Sequence, residues 1–254
     1  MTDAGGAYDA AADAWVDGPA RIYARLAEAM LDHSPVPFAG AAVLDVGAGT
    51  AVACDAALRR GARRAVAADV AAAMLRRRTP SIPAVLADAV RLPFVDRGFD
   101  LLAAGFCLSH LPDPAAALRE WRRVAGATVV SAFAPGPPHP AKTAVDEAME
   151  RLGFVVPAWY QQVKDRSSAV EDPGALASLA RAVGFGTVRV TQERVDTGLA
   201  APGEIASWRL GMAHLAPWVA GLSEARRVEA RAAAEDAATG LGPVTIEMLV
   251  LSGS

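Results

Sequence analysis

Three aspartates stand where short apolar segments end, and they are the first sign of chemistry in this chain. Asp45 precedes a glycine turn in VLDVGAGTA, Asp69 ends the run AVAAD, and Asp88 ends AVLAD. A carboxylate buried at a strand end is costly unless a donor or a cation meets it. Such a carboxylate can also accept two hydrogen bonds from a ribose diol. Three of them at equivalent positions predict a site for a nucleotide-like ligand.

The glycine turn after the first apolar segment suits the same ligand. Gly47 and Gly49 let the backbone turn tightly and put no Cβ in the way of a ligand. The helix that follows points its free N–H groups and its positive end at the turn, which favours negative charge. Taken alone, such a turn is equally typical of a plain strand–helix connection. The neighbouring aspartates favour the ligand-binding interpretation.

The elements that must position these residues alternate between short strands and helices. Strands are predicted at residues 42–46, 65–69, 85–88, 100–104, 128–133, 187–195 and 244–252. Helices are predicted at residues 8–16, about 22–30, 51–60, 71–77, 114–124, 173–182 and, as one longer stretch, 202–239. Apolar strands alternating with helices are typical of an α/β fold with a doubly wound, mostly parallel sheet. Ligands bind outside the carboxyl ends of such strands, where all three aspartates stand.

Composition and charge exclude several classes of protein. The chain has 254 residues, which suits one α/β domain or one domain with a lid, and its formal net charge of −3 gives no nucleic-acid footprint. No uncharged apolar run reaches the ~18 residues of a membrane span. The acidic N-terminus lacks the apolar core of a signal peptide, so a cytoplasmic location is expected. Two cysteines favour buried thiols over a disulfide or a zinc site, and no metal is predicted.

Taken together, these motifs resemble those of the class I S-adenosylmethionine-dependent methyltransferases. VLDVGAGTA resembles the first family motif, ADVAAAML the second, LADAVRLPF the third, and FDLLAAGFCLSHLPDPAAALREWRRV the strand and helix that follow. The resemblance covers about residues 8–133 and is to the small-molecule type related to ubiquinone and menaquinone methyltransferases, the methyltransferase-11 group. It implies S-adenosyl-L-methionine as the cofactor and a seven-stranded sheet of order 3-2-1-4-5-7-6 with helical lid segments.

The resemblance assigns a role to each polar position of the motifs. Asp45, Gly47 and Gly49 are expected to surround the methionine part of the cofactor. Asp69 is expected to accept hydrogen bonds from the ribose hydroxyls, and Asp88 from the adenine amino group. The glycine turn and three strand ends are thus expected to hold the whole length of the cofactor.

Four further residues complete the cofactor site that the resemblance implies. Val70 and Met74 are expected to pack on the adenine, the Ala89 backbone N–H to lie beside it, and Phe106 to line the cofactor beyond the fourth strand. The chain departs from the family pattern at Ala51, which replaces a third glycine, and at AGATVV, which shortens a Pro-Gly-Gly turn. Neither departure touches the predicted reacting centre.

Two histidines are candidate catalytic bases. The cofactor's sulfonium already activates the methyl group, so the protein must align an acceptor and exclude water. A hydroxyl or phenol acceptor also needs a base at neutral pH. His110 follows the fourth strand at the cofactor edge, and His139 lies in the proline-rich loop after the fifth. Each position is also compatible with a loop histidine bonded to the backbone.

Aromatic residues are only 6% of the chain, and several lie outside the predicted sheet. The candidates for lining a substrate pocket are Tyr8, Trp15, Tyr23, Trp159, Tyr160 and Trp208. Alternatively, these side chains anchor lids by packing on the body of the domain. An aromatic, weakly charged lid favours an apolar or aromatic small molecule over a nucleic acid, which needs a basic groove.

One methyltransferase domain spanning residues 1–254 is expected. In chain order its parts are N-terminal helices (1–37), a cofactor-binding core (38–133), a first lid insertion (134–171), a return to the sheet (172–200), a second lid insertion (201–241) and a final strand (242–254). The prolines of APGPPHP exclude regular structure there, and the first insertion is expected to be irregular. Neither insertion has the apolar periodicity of a separate core.

The expected activity is S-adenosylmethionine-dependent methylation of a small, apolar or aromatic molecule, with O- or C-methylation favoured over N-methylation. Two alternatives stay open: a non-catalytic S-adenosylmethionine-binding protein or partner subunit, and a nicotinamide-dependent Rossmann oxidoreductase. The oxidoreductase is disfavoured because its fingerprint G-x-G-x-x-G needs a glycine where Val52 stands. The sequence indicates no nucleic-acid partner and leaves the oligomeric state open.

Overall fold

A seven-stranded mixed sheet forms the centre of the protein. The computed structural model describes residues 3–254, without the side chains of residues 3, 168 and 169. Its strands are β1 Ala42–Val46, β2 Arg64–Asp69, β3 Ala84–Leu86, β4 Phe99–Gly105, β5 Ala125–Phe133, β6 Val188–Asp196 and β7 Thr245–Gly253. Their order, β3-β2-β1-β4-β5-β7-β6, confirms the predicted topology. Strand β7 runs antiparallel to β5 and β6, and the other pairs are parallel.

Helices cover both faces of this sheet. In chain order they are α1 Asp3–Asp17, α2 Pro19–Leu31, α3 Val52–Arg59, α4 Ala72–Arg76, α5 Pro114–Val124, α6 Pro140–Arg151, α7 Ala158–Glu171, α8 Pro173–Ala182, α9 Pro202–Leu210, α10 Ala216–Gly221 and α11 Glu224–Ala238. A short 3₁₀ turn, Leu108–His110, follows β4. Helices α2, α3, α6, α9 and α11 pack in the largest core cluster, and α5 and α8 in a second one. None of the helices within residues 3–254 is long and apolar enough to cross a membrane.

Helix α5 shows how local sequence signals build the frame of the site. Asp113 caps the helix by accepting a hydrogen bond from the Ala116 N–H at 2.9 Å. Pro114 occupies the first turn, where its missing N–H is not needed. The helix buries Trp121, whose Nε1 donates to the Ala89 carbonyl oxygen at 2.9 Å. The capped helix therefore holds the loop after β3, which carries two of the predicted cofactor residues.

The prediction of an irregular first insertion is wrong, because this stretch contains α6 and α7. The proline-rich run ends at Pro140, which occupies the first turn of α6. His139 caps that helix, its Nδ1 accepting a hydrogen bond from the Ala141 N–H at 3.2 Å. Proline is compatible with this position because the first helical N–H groups have no intrahelical partner. The last proline of the run therefore begins a helix, whereas the prolines before it lie outside regular structure.

The predicted single helical stretch at 202–239 is divided into α9, α10 and α11. Gly211 follows α9, and a Cβ built there lies 2.5 Å from the Ala14 carbonyl oxygen of α1. The break thus lets the N-terminal helix pack closely against this part of the chain.

Strand β3 is shorter than predicted and ends at Leu86. Asp88 instead turns the chain, because its Oδ1 accepts a hydrogen bond from the Val90 N–H at 3.0 Å. A bond from an aspartate to the backbone two residues on is typical of a turn. Asp88 therefore lies in the loop beyond the strand, still at the carboxyl edge of the sheet.

Candidate active site

A cavity of about 690 Å³ lies at the carboxyl ends of the central strands, beneath α1 and α2. All nine residues that the resemblance assigned to the cofactor line it, namely Asp45, Gly47, Gly49, Asp69, Val70, Met74, Asp88, Ala89 and Phe106. Of the other predicted site residues, Tyr8, Trp15, Tyr23 and His110 line it too. Its volume is in the range of small-molecule pockets. The sheet thus brings together residues that are far apart in sequence.

The glycine turn between β1 and α3 uses left-handed backbone at alternate residues. Gly47 has φ +67°, Gly49 +53° and Ala51 +62°. A Cβ on Gly47 would lie 2.5 Å from the Sγ of Cys107, which is closer than side chains approach one another. Ala51 is buried and carries the strain that left-handed backbone imposes on residues with a Cβ. The missing third glycine is therefore tolerated in the fold, at a conformational cost.

Asp69 holds the turn in place and keeps capacity for a ligand. Its Oδ2 accepts a hydrogen bond from the Gly49 N–H at 2.7 Å, and its Oδ1 accepts one from the Ala71 N–H at 2.8 Å. Burial raises the pKa of this carboxyl, although the backbone donors oppose the shift. A carboxylate has about four lone-pair sites, so Asp69 keeps capacity to accept from a diol.

Asp45 is a buried acid in need of a positive partner. It is 2% exposed, and its Oδ2 has no hydrogen-bond partner among the described residues. Burial, and then the negative charge of Asp69, raises the pKa of Asp45 to about 7. A buried carboxylate is stable when a cation or donors meet it. The site at the glycine turn therefore fits the ammonium group of a bound amino-acid moiety.

An apolar surface adjoins the loops after β2 and β3. Val70 is 51% exposed, while Met74 is buried with its Cε 3.3 Å from a Cβ built on Gly49. Gly5 of α1 approaches Val70 from above, because a Cβ on that glycine would lie 3.5 Å from Cγ2. Together with the Asp88 carboxylate, this surface fits the flat face and amino edge of an adenine.

Helix α1 is fastened over this surface by two aspartates that sequence reasoning missed. Asp9 Oδ1 accepts a hydrogen bond from the Ala73 N–H at 2.5 Å, and Asp13 forms an ion pair with Arg77. The contacts join α1 to α4 and to Arg77, the residue that follows α4, across more than 60 positions of sequence. Local patterns carry no signal for such pairs. The N-terminal helix therefore covers the cavity in a defined orientation.

A second part of the cavity lining, the aromatic end, combines aromatic rings with a neutral histidine, and its Tyr8 also packs against the cluster that contains Met74. The Tyr8 hydroxyl lies 3.4 Å from His110 Nε2, and His110 Nδ1 is buried without a partner among the described residues. Burial, and then the charge of Arg166, lowers the pKa of His110 to about 4. Burial also raises the pKa of Tyr8 well above its usual value. Both groups are therefore uncharged at neutral pH.

Phe106 joins this end to the strands. It has φ +55°, an uncommon backbone conformation for a bulky residue that is often found at functional sites. Its ring centroid lies 4.5 Å from that of Phe133 and 5.6 Å from that of Tyr23. The strained backbone thus places an aromatic wall between β4 and β5.

Four predicted site residues lie outside the cavity lining. His139 caps α6, and Trp208 is buried in the core cluster. Tyr160 stacks flat on His214, with their ring centroids 4.0 Å apart. The Trp159 ring centroid lies 6.4 Å from that of Tyr8. Packing and capping account for their positions. Their predicted catalytic and substrate roles stay predictions without a contact to this cavity.

Sequence comparison identifies the family. Residues 44–128 match the model of a methyltransferase domain. A demethylmenaquinone methyltransferase of Roseiflexus sp. is 34% identical over 176 residues, which cover 62% of this chain and 72% of the relative. This chain belongs to the S-adenosylmethionine-dependent methyltransferases. The demethylmenaquinone methyltransferase of Streptomyces griseus is 30% identical to the enzyme over 197 residues, which cover 71% of this chain and 82% of the relative.

Solved structures share the fold of this methyltransferase at low sequence identity. A protein of Anabaena variabilis, described as a methyltransferase from an antibiotic biosynthesis pathway, superposes with a TM-score of 0.62 and 14% identity, covering 90% of this chain and 96% of that one. The [4+2]-cyclase SpnF superposes with a TM-score of 0.51 and 19% identity over 91% and 80%. Because one fold carries different reactions, this likeness concerns architecture alone.

The family membership fixes the cofactor as S-adenosylmethionine, and the cavity fits it. The unpartnered Asp45 carboxyl can meet the ammonium group, the bare backbone at Gly47 leaves room for the methionine part, and Asp69 has lone pairs for the ribose. The oxidoreductase alternative is therefore wrong.

Cofactor affinity should depend on pH through Asp45. Protons compete with the ligand's ammonium group for this carboxyl below its pKa of about 7. We expect affinity for S-adenosylhomocysteine to fall as pH drops below 7, by up to about tenfold per pH unit, and to level off above it. Isothermal titration from pH 5.5 to 8.5 would measure this, and Asp45→Asn should give weaker, pH-independent binding. A flat profile in the unaltered enzyme would contradict the raised pKa.

Asp45 should also make the free energy of unfolding of the ligand-free enzyme depend on pH. The folded-state pKa of Asp45 lies above its ordinary value, so the folded state binds the extra proton between about pH 4 and pH 7. The contribution of Asp45 to the free energy of unfolding should therefore fall as pH rises through this window. Urea titrations of the enzyme and of Asp45→Asn, compared across these pH values, isolate that contribution.

Proposed function

We propose that the enzyme methylates a small, neutral aromatic molecule with a ring hydroxyl, on that oxygen or on an adjacent ring carbon. The main support for this proposal is the distribution of charged residues in the cavity lining. Five aspartates line it, and neither a lysine nor an arginine is among its described lining residues. A carboxylate or phosphate on the acceptor would meet like charge without a positive partner. Neutral acceptors are therefore favoured over anionic ones.

The aspartates also argue against a cationic amine as the acceptor. Asp9 and Asp113 accept hydrogen bonds from backbone N–H groups, of Ala73 and Ala116 respectively. The other three belong to the predicted cofactor site. The aromatic end offers Tyr8, His110 and the rings around Phe106, none of which carries a negative charge at neutral pH. This arrangement supports oxygen or carbon methylation over nitrogen methylation.

The size and lining of the cavity support an aromatic acceptor. The rings of Tyr23, Phe106 and Phe133 offer edge and face contacts to a flat molecule. The cofactor and the acceptor share about 690 Å³, which limits the acceptor to a small ring system. Two relatives are named for demethylmenaquinone, a quinone. A ring bearing oxygen agrees with those names.

To catalyse methyl transfer, the protein must align the acceptor with the cofactor, exclude water and remove one proton from the acceptor. S-adenosylmethionine supplies a methyl group on a sulfonium, which needs no further activation. Helices α1 and α2 cover the cavity and exclude water from the acceptor. Tyr8 orients the His110 ring through Nε2, and Nδ1 takes the proton from the ring hydroxyl. Loss of that proton makes both the oxygen and the adjacent carbon nucleophilic. After methylation on the carbon, the ring hydrogen there leaves and the oxygen regains a proton, so each outcome releases one proton in total.

Transfer of a labelled methyl group tests the proposal. The enzyme is incubated with methyl-labelled S-adenosylmethionine and, in parallel, with 1-naphthol, 1,4-dihydroxynaphthalene, a carboxylated naphthol and phosphoethanolamine. We expect label in the two neutral ring alcohols, at least about tenfold faster than in the charged compounds. Mass spectrometry of the product then distinguishes O-methyl from C-methyl.

Two results would oppose the proposal in different ways. Transfer to phosphoethanolamine or the carboxylated naphthol alone would show that the cavity accepts charge. Binding of S-adenosylhomocysteine without transfer to any acceptor would favour the non-catalytic alternative.

A further inference from the structure

Ser131 carries a hydroxyl group that the fold itself does not use. It lies in β5 and is 1% exposed, and its Oγ has no hydrogen-bond partner among the described residues. The large majority of buried side-chain polar atoms in proteins have such a partner, so each exception needs an explanation. Ser131 also lines the active-site cavity. A ligand can therefore supply the missing partner.

Ser131 lies beside a glycine and next to an aromatic residue, both of which also line the cavity. Ser131 pairs with Gly105 of β4, and a Cβ built on that glycine would lie 3.8 Å from the Ser131 Oγ. The glycine therefore places no side chain over the hydroxyl. Phe133 is the next residue on the same face of β5, and it packs against Phe106. Ser131 thus lies next to the aromatic pair formed by Phe106 and Phe133.

The order of the strands separates this hydroxyl from every predicted cofactor residue except Phe106, whose N–H donates to the Ser131 carbonyl oxygen at 3.0 Å. The glycine turn follows β1, whereas Ser131 belongs to β5, with β4 between the two strands. The predicted ribose and adenine contacts lie farther away still, after β2 and β3. Ser131 therefore stands on the acceptor side of the cavity.

A second hydroxyl in β5, that of Thr128, also lacks a hydrogen-bond partner within the described part of the chain but lies away from the cavity. It lies in the same strand, is also 1% exposed, and its Oγ1 likewise has no partner among the described residues. Three positions separate it from Ser131, which puts the two side chains on opposite faces of the sheet. Thr128 is absent from the described lining of the cavity. It therefore provides a matched control.

We propose that Ser131 is a specificity-determining residue, whose Oγ–H donates a hydrogen bond to an oxygen atom of the acceptor other than the reacting hydroxyl. The inference rests on the proposed function and adds a second recognition point to it. Ser131 selects rings with two oxygen substituents over rings with one, because the one-oxygen ring leaves the buried hydroxyl unpaired.

A pair of naphthols measures this selection without turnover. Binding of 1,4-dihydroxynaphthalene and of 1-naphthol is followed in the absence of oxygen by tryptophan fluorescence, with S-adenosylhomocysteine present. We expect the unaltered enzyme to bind the diol about tenfold more tightly, as one hydrogen bond allows. Ser131→Ala should abolish the difference, and Thr128→Val should retain it.

Two further measurements exclude a merely structural effect. Ser131→Ala should bind S-adenosylhomocysteine with unchanged affinity and melt at the same or a higher temperature, because an unpaired buried hydroxyl has been removed. An unchanged diol preference in Ser131→Ala would overturn the inference and leave the proposed function standing. A large loss of S-adenosylhomocysteine affinity would place the hydroxyl at the cofactor and also overturn it. Failure of both naphthols to bind the unaltered enzyme would reject the acceptor class, and the inference with it.

Discussion

Gly47→Ala should lower the affinity for S-adenosylhomocysteine by about two to three orders of magnitude. The new Cβ would lie 2.5 Å from the Sγ and 2.6 Å from the Cβ of Cys107, so the turn or the loop after β4 must move. Overpacking of this kind costs about 1–3 kcal/mol, and a Cβ in left-handed backbone adds about 1–2 kcal/mol. Both segments line the cavity, so their displacement acts on the cofactor directly. Isothermal titration measures the loss.

Gly40→Ala separates the two causes. Gly40 also has left-handed backbone, with φ +76°, but a Cβ there has no atom within 4 Å. We expect Gly40→Ala to lower the melting temperature modestly and to leave S-adenosylhomocysteine affinity unchanged. Adding Cys107→Gly to Gly47→Ala removes both contacting atoms and should restore part of the affinity. Normal binding by Gly47→Ala alone would show that the close approach is not required.

The cofactor half of the cavity could be predicted because its determinants are local in sequence. A glycine turn, a strand end or a capped helix depends on residues within a few positions, as Asp113 and Pro114 show for α5. The strand order is expected from the family resemblance, and parallel strands in that order present their carboxyl ends at one edge, where the predicted residues meet. Where local signals misled, one local feature decided the outcome in each case. The Val90 N–H donates a hydrogen bond to Asp88, which turns the chain after β3, and Pro140 occupies the first turn of α6.

The acceptor half depends on pairs that local patterns do not encode. Tyr8 and His110 are 102 positions apart, and Asp9 and Ala73 are 64 apart. Ser131 stands in an apolar strand, where a small polar residue resembles ordinary core until the cavity beside it is known. Its missing partner is a property of the folded chain. The same applies to the pKa of His110, which burial lowers.

His110→Ala should lower kcat by about 10² with the ring-hydroxyl acceptors, the lower end of the usual contribution of a general base, because a pKa of about 4 makes His110 a weak base. The cofactor residues are untouched, so affinity for S-adenosylhomocysteine should hardly change. The defect should shrink as pH approaches the pKa of the acceptor hydroxyl, because an ionised acceptor no longer needs a base. In the unaltered enzyme, His110 has a pKa of about 4 and is already deprotonated above pH 5, so it should not titrate between pH 6 and 8. Rates with saturating cofactor across this range provide the measurement.

His139→Ala and Tyr8→Phe are control variants that distinguish a general base from a packing residue. His139 caps α6 through Nδ1 and lies outside the cavity lining, so its loss should cost about 1 kcal/mol of stability and leave kcat unchanged. Tyr8→Phe keeps the ring beside His110 but removes the hydroxyl that orients it, so kcat should fall less than in His110→Ala. A general base acts on the ionisation of the acceptor, whereas a packing residue acts at every pH alike. A pH-independent defect in His110→Ala would therefore assign His110 to packing, and a kcat defect confined to His139→Ala would transfer the base to the other histidine.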